Sequence, residues 1–150
     1  MIEKIKKGIG DSIKVKNELL SDEAVLMDLK SVILKVVSAY NEKCKVMFCG
    51  NGGSAADAQH LAAELSGRYY FDRPPLNAEA LHVNTSYLTA VANDYSYEEV
   101  YARYLKGVGS KGDVLFAFST SGNSKNVIKA IEYARTAGIY VVGLTGSDGG

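Results

Sequence analysis

Four short apolar runs alternate with helical patterns, and this alternation limits the fold more than any other feature of the sequence. The runs are "KVMFCG" (45–50), "AEALHV" (78–83), "DVLFAFS" (113–119) and "YVVGLTG" (140–146), and each is followed by a small polar residue. The helical patterns between them cover 54–67, 86–92, 97–106 and 124–137. Strands that alternate with helices typically form a parallel sheet buried on both faces. The sequence therefore predicts an α/β protein.

Two further helical patterns precede the first apolar run. Ile5, Ile9 and Ile13 are spaced loosely as in a helix over 2–20, and a broader apolar face extends over 22–41. Ser21 is a plausible N-cap for the second helix, because a hydroxyl there can accept a backbone amide. We expect a single domain of 150 residues, with N-terminal helices at 2–41 and an α/β core at 45–150.

Charge and apolar length argue against two classes of partner. Lys plus Arg and Asp plus Glu each total 17, so the balance gives no support to a nucleic-acid-binding or polybasic membrane surface. No apolar run approaches the roughly 20 residues of a membrane span, and the N-terminus lacks the apolar core of a secretory signal. We expect a cytoplasmic protein with no nucleic-acid or membrane partner.

The two cysteines also favour a reducing compartment. Cys44 and Cys49 are five residues apart, at and just before one predicted strand. An odd spacing on a strand directs side chains to opposite faces. A disulfide between them is therefore not expected.

The loop after the third run is rich in hydroxyl groups. "FSTSGNSKNVIKA" (118–130) contains Ser119, Thr120, Ser121 and Ser124 just before a predicted helix. Hydroxyls and free amides at a helix start suit a phosphate. No lysine occupies a P-loop position, which excludes a Walker A motif. The alternative is an ordinary Ser/Thr-rich turn with Ser124 as the N-cap.

Two other segments follow predicted elements with small polar residues. In "CGNGGSAADA" (49–58), Gly52 and Gly53 allow close backbone approach, and Ser54 can cap the next helix. In "VANDYSYEEVYARY" (91–104), Asn93 and Asp94 interrupt a helical pattern and can present polar groups. A tight strand–helix turn and a capping turn are the respective alternatives.

The helix predicted at 54–67 carries a histidine and a carboxylate four residues apart. His60 and Glu64 share a helix face with Asp57, with Cβ atoms about 5–6 Å apart. Such a pair can bind zinc, although two protein ligands are too few for a complete site. The alternative is a surface His–Glu pair. The other histidine, His82, lies on a different strand and is interpreted as structural.

Together, "CGNGGSAADAQHLAAELSGRY" and "STSGNSKNVIKA" resemble the SIS domain family, over nearly the whole chain. Within it the chain is similar to the phosphoheptose isomerases, which interconvert sedoheptulose 7-phosphate and D-glycero-D-manno-heptose 7-phosphate. The resemblance implies a three-layer sandwich with a five-stranded, flavodoxin-like parallel sheet. It also implies a homotetramer with active sites at subunit interfaces.

The resemblance assigns roles to individual residues. His60 and Glu64 would be zinc ligands, and Glu64 would also be the catalytic group that moves a proton through an enediol. Asp57 and Arg68 would orient the substrate less directly. The implied substrate-binding residues are Asn51, Gly52, Gly53, Glu64, Asn93, Asp94, Ser119, Thr120, Ser121 and Ser124.

The family pattern continues past residue 150 with a strand and a helix bearing a glutamine and a histidine, which complete the zinc site. The resemblance therefore predicts that the sequence is truncated and that the remaining ligands lie beyond Gly150. In the family, the reaction is the first step in making activated heptose. The sequence leaves open whether that heptose serves lipopolysaccharide, capsule or a surface layer.

An alternative function comes from the same family. The DnaA initiator-associating protein, a non-enzymatic tetramer that binds the replication initiator, shares much of the glycine-turn segment. Its pattern lacks the glutamate four residues after the histidine and has a basic residue within the serine loop. Glu64 and Ser121 therefore favour the isomerase. Other sugar-phosphate isomerases and sugar-phosphate sensors of the family are further alternatives.

Overall fold

The computed structural model describes residues 1–150, which divide into two compact units, 1–35 and 36–150. The first unit contains helix α1 (Ile2–Ser21) and the beginning of helix α2 (Glu23–Asn41). Lys7 forms an exposed ion pair with Asp11 on α1, at 2.6 Å. Both helices lie close to the predicted limits.

The cap of α2 differs from the prediction. Asp22 Oδ1 accepts the amides of Ala24 and Val25, both at 3.1 Å. Ser21 instead ends α1, and its hydroxyl donates to the carbonyl of Asn17. The prediction that Ser21 caps α2 is wrong, because α1 extends one residue further than its pattern indicated.

The second unit has alternating strands and helices, and each predicted element is present with its ends shifted by a few residues. The predicted strand at 78–83 is the most shortened. One 3₁₀ turn, Tyr97–Glu99, comes directly before the helix that begins at Val100. In chain order the elements are β1 (Val46–Cys49), α3 (Gly53–Ser66), β2 (Ala78–Ala80), α4 (Thr85–Asp94), α5 (Val100–Val108), β3 (Val114–Ser119), α6 (Lys125–Thr136) and β4 (Tyr140–Thr145).

The four strands form one parallel sheet in the order β2-β1-β3-β4. Cys49, at the end of β1, pairs with Ala117 of β3, so β3 continues two residues further before its loop begins. Residues 1–150 thus contain four of the five strands that the resemblance implies. The parallel α/β fold is confirmed.

Side chains alternate between the two faces of the sheet and form two apolar clusters. On one face, Met47 and Leu115 pack with Leu105 of α5 and Val127 of α6. On the other face, Val46, Phe48 and Val114 pack with Ala58 and Ala62 of α3 and with Ala39 of α2. The phenyl rings of Phe48 and Phe116 stack there, with centroids 5.2 Å apart. Helices therefore cover both faces, as a three-layer sandwich requires.

Cys44 and Cys49 are both free thiols, which confirms that they do not form a disulfide. Cys49 is fully buried in β1, and this burial raises the pKa of its thiol to about 12. None of the helices is long and apolar enough to cross a membrane.

Candidate active site

The loops after β1 and β3 lie beside each other because these two strands are neighbours in the sheet. Between the loops is a cavity of about 240 Å³. Six of its seven lining residues have polar side chains: it is lined by Asn51, Ser54, Phe118, Ser119, Thr120, Ser121 and Ser124. The structure therefore brings Asn51 and the hydroxyls of the loop after β3 together around one cavity.

The serine loop, residues 119–124, is a compact turn held by its own polar groups. The Ser119 hydroxyl, on a side chain only 7% exposed, donates to the hydroxyl of Ser124 at 3.0 Å. Gly122 has a φ of +67°, a conformation that a residue with a Cβ rarely adopts. Ser124 is the N-cap residue of α6, as predicted, but its side chain does not bond a helix amide. The loop therefore presents hydroxyls beside a helix N-terminus, where an anion is stabilised.

The glycine turn after β1 brings backbone close to the same cavity. A Cβ added to Gly50 would lie 2.7 Å from the Cβ of Ser54, so only glycine fits there without a shift. Gly52 is the N-cap of α3, with a φ of +57°, and Gly53 is the first helical residue. The prediction that Ser54 caps this helix is wrong, since Ser54 lies inside it.

Asn51 is held by three side chains that the sequence patterns did not single out. Asn126, the second residue of α6, pairs with its amide through two hydrogen bonds. Tyr97 donates its hydroxyl to Asn51 Oδ1 at 3.1 Å. The buried Tyr101 hydroxyl lies 3.4 Å from Asn51 Oδ1 and donates to the carbonyl of Gly50, and burial raises the pKa of this phenol above its usual range. One feature could have drawn attention to Asn126: it is a polar residue on the buried face of α6, beside Val127.

His60 and Glu64 lie together on α3, as their spacing predicts. His60 Nε2 is 3.5 Å from Glu64 Oε1, and their side chains are 74% and 31% exposed. Both line a second, larger cavity of about 610 Å³, whose other walls are mainly apolar. Phe118 lines this cavity and the serine-loop cavity alike, so the two lie side by side.

The last turn of α3, which carries Glu64, is fixed by Arg73. One guanidinium nitrogen donates to the Glu64 carbonyl at 2.8 Å, and the other donates to the Leu65 carbonyl at 2.9 Å. The last carbonyls of a helix have no partner within it. Arg73 therefore supplies the partners that the helix lacks.

The side chains of His60 and Glu64 are suitable as two of the four ligands of a zinc site. Imidazole nitrogen and carboxylate oxygen are both ordinary zinc ligands, and zinc in proteins usually has four ligands. No group of three or more His, Cys, Asp or Glu side chains lies close enough together to hold a metal ion. His60 and Glu64 can therefore be only part of the ligand set.

Six of the predicted residues do not line either cavity. Asn93 and Asp94 are exposed at the end of α4, where the Asn93 amide donates to the Asp94 carboxylate at 2.9 Å. Asp57 and Arg68 are exposed on and just after α3. Gly52 and Gly53 are exposed in the glycine turn and likewise line neither cavity. The candidate site within residues 1–150 therefore combines the serine loop, Asn51 of the glycine turn and the His60–Glu64 pair.

The sequence matches the family model described as SIS domain over residues 14–146. A phosphoheptose isomerase of Mycobacterium tuberculosis is 53% identical over 140 residues, which are 93% of this chain and 71% of that protein. Phosphoheptose isomerase 2 of Campylobacter jejuni is 49% identical over 146 residues, or 97% of this chain and 73% of that protein.

Solved structures agree with the sequence matches. A phosphoheptose isomerase from Neisseria gonorrhoeae superimposes with a TM-score of 0.90 at 39% identity, covering 99% of this chain and 76% of that one. A phosphoheptose isomerase from Francisella tularensis gives a TM-score of 0.89 at 34% identity, with coverage of 99% and 77%. These similarities do not favour the initiator-binding alternative.

Proposed function

The chain belongs to the SIS domain family and, within it, to the phosphoheptose isomerases, and we propose that it converts D-sedoheptulose 7-phosphate to D-glycero-D-manno-heptose 7-phosphate. The observation that carries this proposal is the hydroxyl-lined cavity of about 240 Å³, which adjoins the cavity that contains His60 and Glu64. One cavity suits a phosphate and the other holds groups able to move protons. The isomerisation of a sugar phosphate requires both a phosphate-binding site and a group that moves protons.

The phosphate is proposed to bind the serine loop. The hydroxyls of Ser119, Thr120, Ser121 and Ser124 are small and neutral, so the anion can approach the backbone and the N-terminus of α6. Holding the substrate at this end fixes the position of its reacting carbons, which lowers the entropic part of the barrier.

The sugar chain is proposed to extend from this loop along the glycine turn. Asn51 lines the cavity. The neighbouring Gly52 and Gly53 are exposed, with open space where a Cβ would lie. Asn93 and Asp94 are also proposed to contact substrate. Because they are exposed and line neither cavity, a neighbouring subunit is proposed to bring a substrate into contact with them.

Glu64 is proposed as the catalytic base. Isomerisation of a ketose to an aldose requires a proton to move between C1 and C2 through an enediol, and a carboxylate can remove and return it. His60 and Glu64 would hold a zinc ion, with further ligands from outside residues 1–150. When bound, zinc would act as a Lewis acid on the sugar oxygens.

We further propose a cytoplasmic homotetramer in which residues 1–150 form a single SIS domain. Large apolar side chains are exposed on α1, with Ile5 57% and Ile9 58% accessible. Contiguous exposed apolar surface is typical of a protein–protein interface. The product would enter the synthesis of activated heptose.

The test is conversion of sedoheptulose 7-phosphate by the full-length protein, with and without added zinc. Glu64→Gln is expected to abolish turnover, because an amide cannot accept the proton. Glu132→Gln, which changes an exposed carboxylate of α6 in the same way, is the matched control and should retain full turnover. No conversion by the unmodified, zinc-supplied protein would refute the proposed function.

Zinc binding needs a readout of its own. Bound zinc per subunit, measured by elemental analysis after dialysis, is expected to fall in His60→Ala. If His60→Ala kept its full zinc content, His60 would not be a zinc ligand. Tetramer formation is checked separately by sedimentation, and a monomer would contradict that part of the proposal.

A further inference from the structure

Asn126 is a buried polar residue at a place where α6 is otherwise apolar. It is only 4% exposed and follows the serine loop by two residues. Its Nδ2 donates to Asn51 Oδ1 at 2.8 Å, and its Oδ1 accepts from Asn51 Nδ2 at 2.9 Å. The two amides therefore form a closed, reciprocal pair.

A backbone amide fixes the orientation of this pair. The N–H of Val127 donates to Asn126 at 3.0 Å, and a backbone N–H can only donate. The atom that receives it must be the oxygen of Asn126, so Asn51 must direct its NH₂ group to that oxygen. The usual ambiguity in assigning an asparagine amide is thereby removed.

The pair leaves Asn51 with one uncommitted donor. An asparagine has two N–H donors and one carbonyl oxygen. Asn126 takes one of these N–H groups, and the oxygen accepts from Asn126, from Tyr97 at 3.1 Å and, at 3.4 Å, from Tyr101. Because Asn51 lines the serine-loop cavity, the remaining N–H is available to a ligand there.

The same pair joins two loops that are distant in sequence. Asn51 belongs to the glycine turn, whereas Asn126 begins α6, and they are 75 residues apart. The proposed phosphate site lies in the serine loop and the proposed sugar contacts lie in the glycine turn. The distance between the proposed phosphate site and the proposed sugar contacts therefore depends on the Asn51–Asn126 pair.

We propose that Asn126 is a positioning residue: it orients the Asn51 amide and fixes the spacing between the glycine turn and the serine loop. This inference rests on the proposed function, because it assigns Asn126 a role in the same reaction. Asn126 acts through Asn51 and does not itself contact the substrate.

The test is a double-mutant cycle in the full-length protein, with Asn51→Ala, Asn126→Ala and the double variant. Asn126→Ala is expected to lower kcat/KM for sedoheptulose 7-phosphate about tenfold, which corresponds to about 1.4 kcal/mol. In the Asn51→Ala background the same change is expected to have less than a twofold effect. Two independent, multiplying losses would overturn the proposal.

Inhibition by inorganic phosphate separates positioning from damage to α6. If Asn126 only supported the helix, its loss would disturb the serine loop and weaken phosphate binding. The proposal predicts an inhibition constant for phosphate within about twofold of the unmodified protein, and a larger change would contradict it. Ile139→Val, a buried truncation remote from both loops, is the control and should leave kcat/KM unchanged.

Two further measurements keep the inference testable. Tyr97→Phe removes a hydroxyl from an exposed residue, so folding should be preserved. A loss of activity that persists in the Asn51→Ala background would count against the proposal.

Denaturant unfolding of the Asn51/Asn126 cycle should be non-additive whatever reaction the protein catalyses. If turnover is absent but this coupling is found, the proposed function fails while the pair stands; additive unfolding energies would refute the pair.

Discussion

Replacing Arg73 with alanine is expected to loosen the last turn of α3, the turn that carries Glu64. The guanidinium group donates to the carbonyls of Glu64 and Leu65 and to that of Pro74. Leu65 O also accepts the amide of Leu76 at 3.1 Å, so it keeps one partner without Arg73. The Glu64 carbonyl depends on Arg73 more heavily.

The expected loss of stability follows from these bonds. A hydrogen bond to a charged group contributes about 1.5–3 kcal/mol. Because the Glu64 residue is half-buried, water can replace part of the lost interaction, and Leu65 retains Leu76. We therefore expect Arg73→Ala to lower the free energy of unfolding by about 2 kcal/mol, equivalent to roughly one unreplaced bond. Lysine at position 73 keeps the charge but not the planar fork, and should cost about half as much, roughly 1 kcal/mol.

Denaturant unfolding measures the global effect, and amide hydrogen exchange shows where it lies. Exchange should accelerate first at the carboxyl end of α3, while the buried strands β1 and β3 keep their protection. Arg68→Ala is the matched control, because Arg68 follows the same helix but is exposed. It should change the unfolding free energy by less than about 0.5 kcal/mol.

Two results would refute this reasoning. The first is an Arg73→Ala loss below about 0.5 kcal/mol, which would show that solvent replaces the guanidinium fully. The second is equal destabilisation by Arg68→Ala, which would show that positive charge near the helix end matters and the hydrogen bonds do not. If the bonds do hold Glu64 in place, turnover should fall in Arg73→Ala even under conditions where the variant is fully folded.

Three other predictions concern the sheet. Leu115→Ala, at a fully buried position of β3, should cost about 2–5 kcal/mol of unfolding free energy, and a loss below about 1 kcal/mol would contradict the described packing. Asp113→Ala should cost about 3 kcal/mol by the same measurement, because this buried carboxylate accepts two backbone amides, at 2.9 and 2.8 Å; Asp113→Asn should recover part of that loss. At pH 8 a thiol reagent should modify Cys44 before Cys49, since a pKa of about 12 leaves Cys49 almost entirely protonated; rapid labelling of Cys49 in folded protein would show that β1 is not buried.

Local features of the site could be predicted because they depend on short spacings. His60 and Glu64 are four residues apart on a helix whose apolar pattern is clear, so their shared face followed directly. The serine loop was recognisable because hydroxyl residues fill the interval between a strand pattern and a helix pattern. Neither inference required knowledge of the strand order.

The contacts around Asn51 could not be predicted in the same way. They join residues of different loops, and they exist only because β1 and β3 are neighbours, which periodicity alone does not specify. The cap of α2 was missed for a more local reason. Ser21 and Asp22 are both good N-caps, and the choice between them depends on where α1 ends.

The strand order also explains why the polar groups gather where they do. From β1 the chain crosses through α3 to β2 on one side of the sheet, and from β3 it crosses through α6 to β4 on the other. Right-handed crossovers in opposite directions put the two helices on opposite faces, so the loops after β1 and β3 diverge and leave a crevice between them. A ligand in that crevice meets two helix N-termini and the backbone of both loops. Because the loops diverge, the sheet itself does not fix the distance between them. The Asn51–Asn126 pair is the contact that spans this crevice.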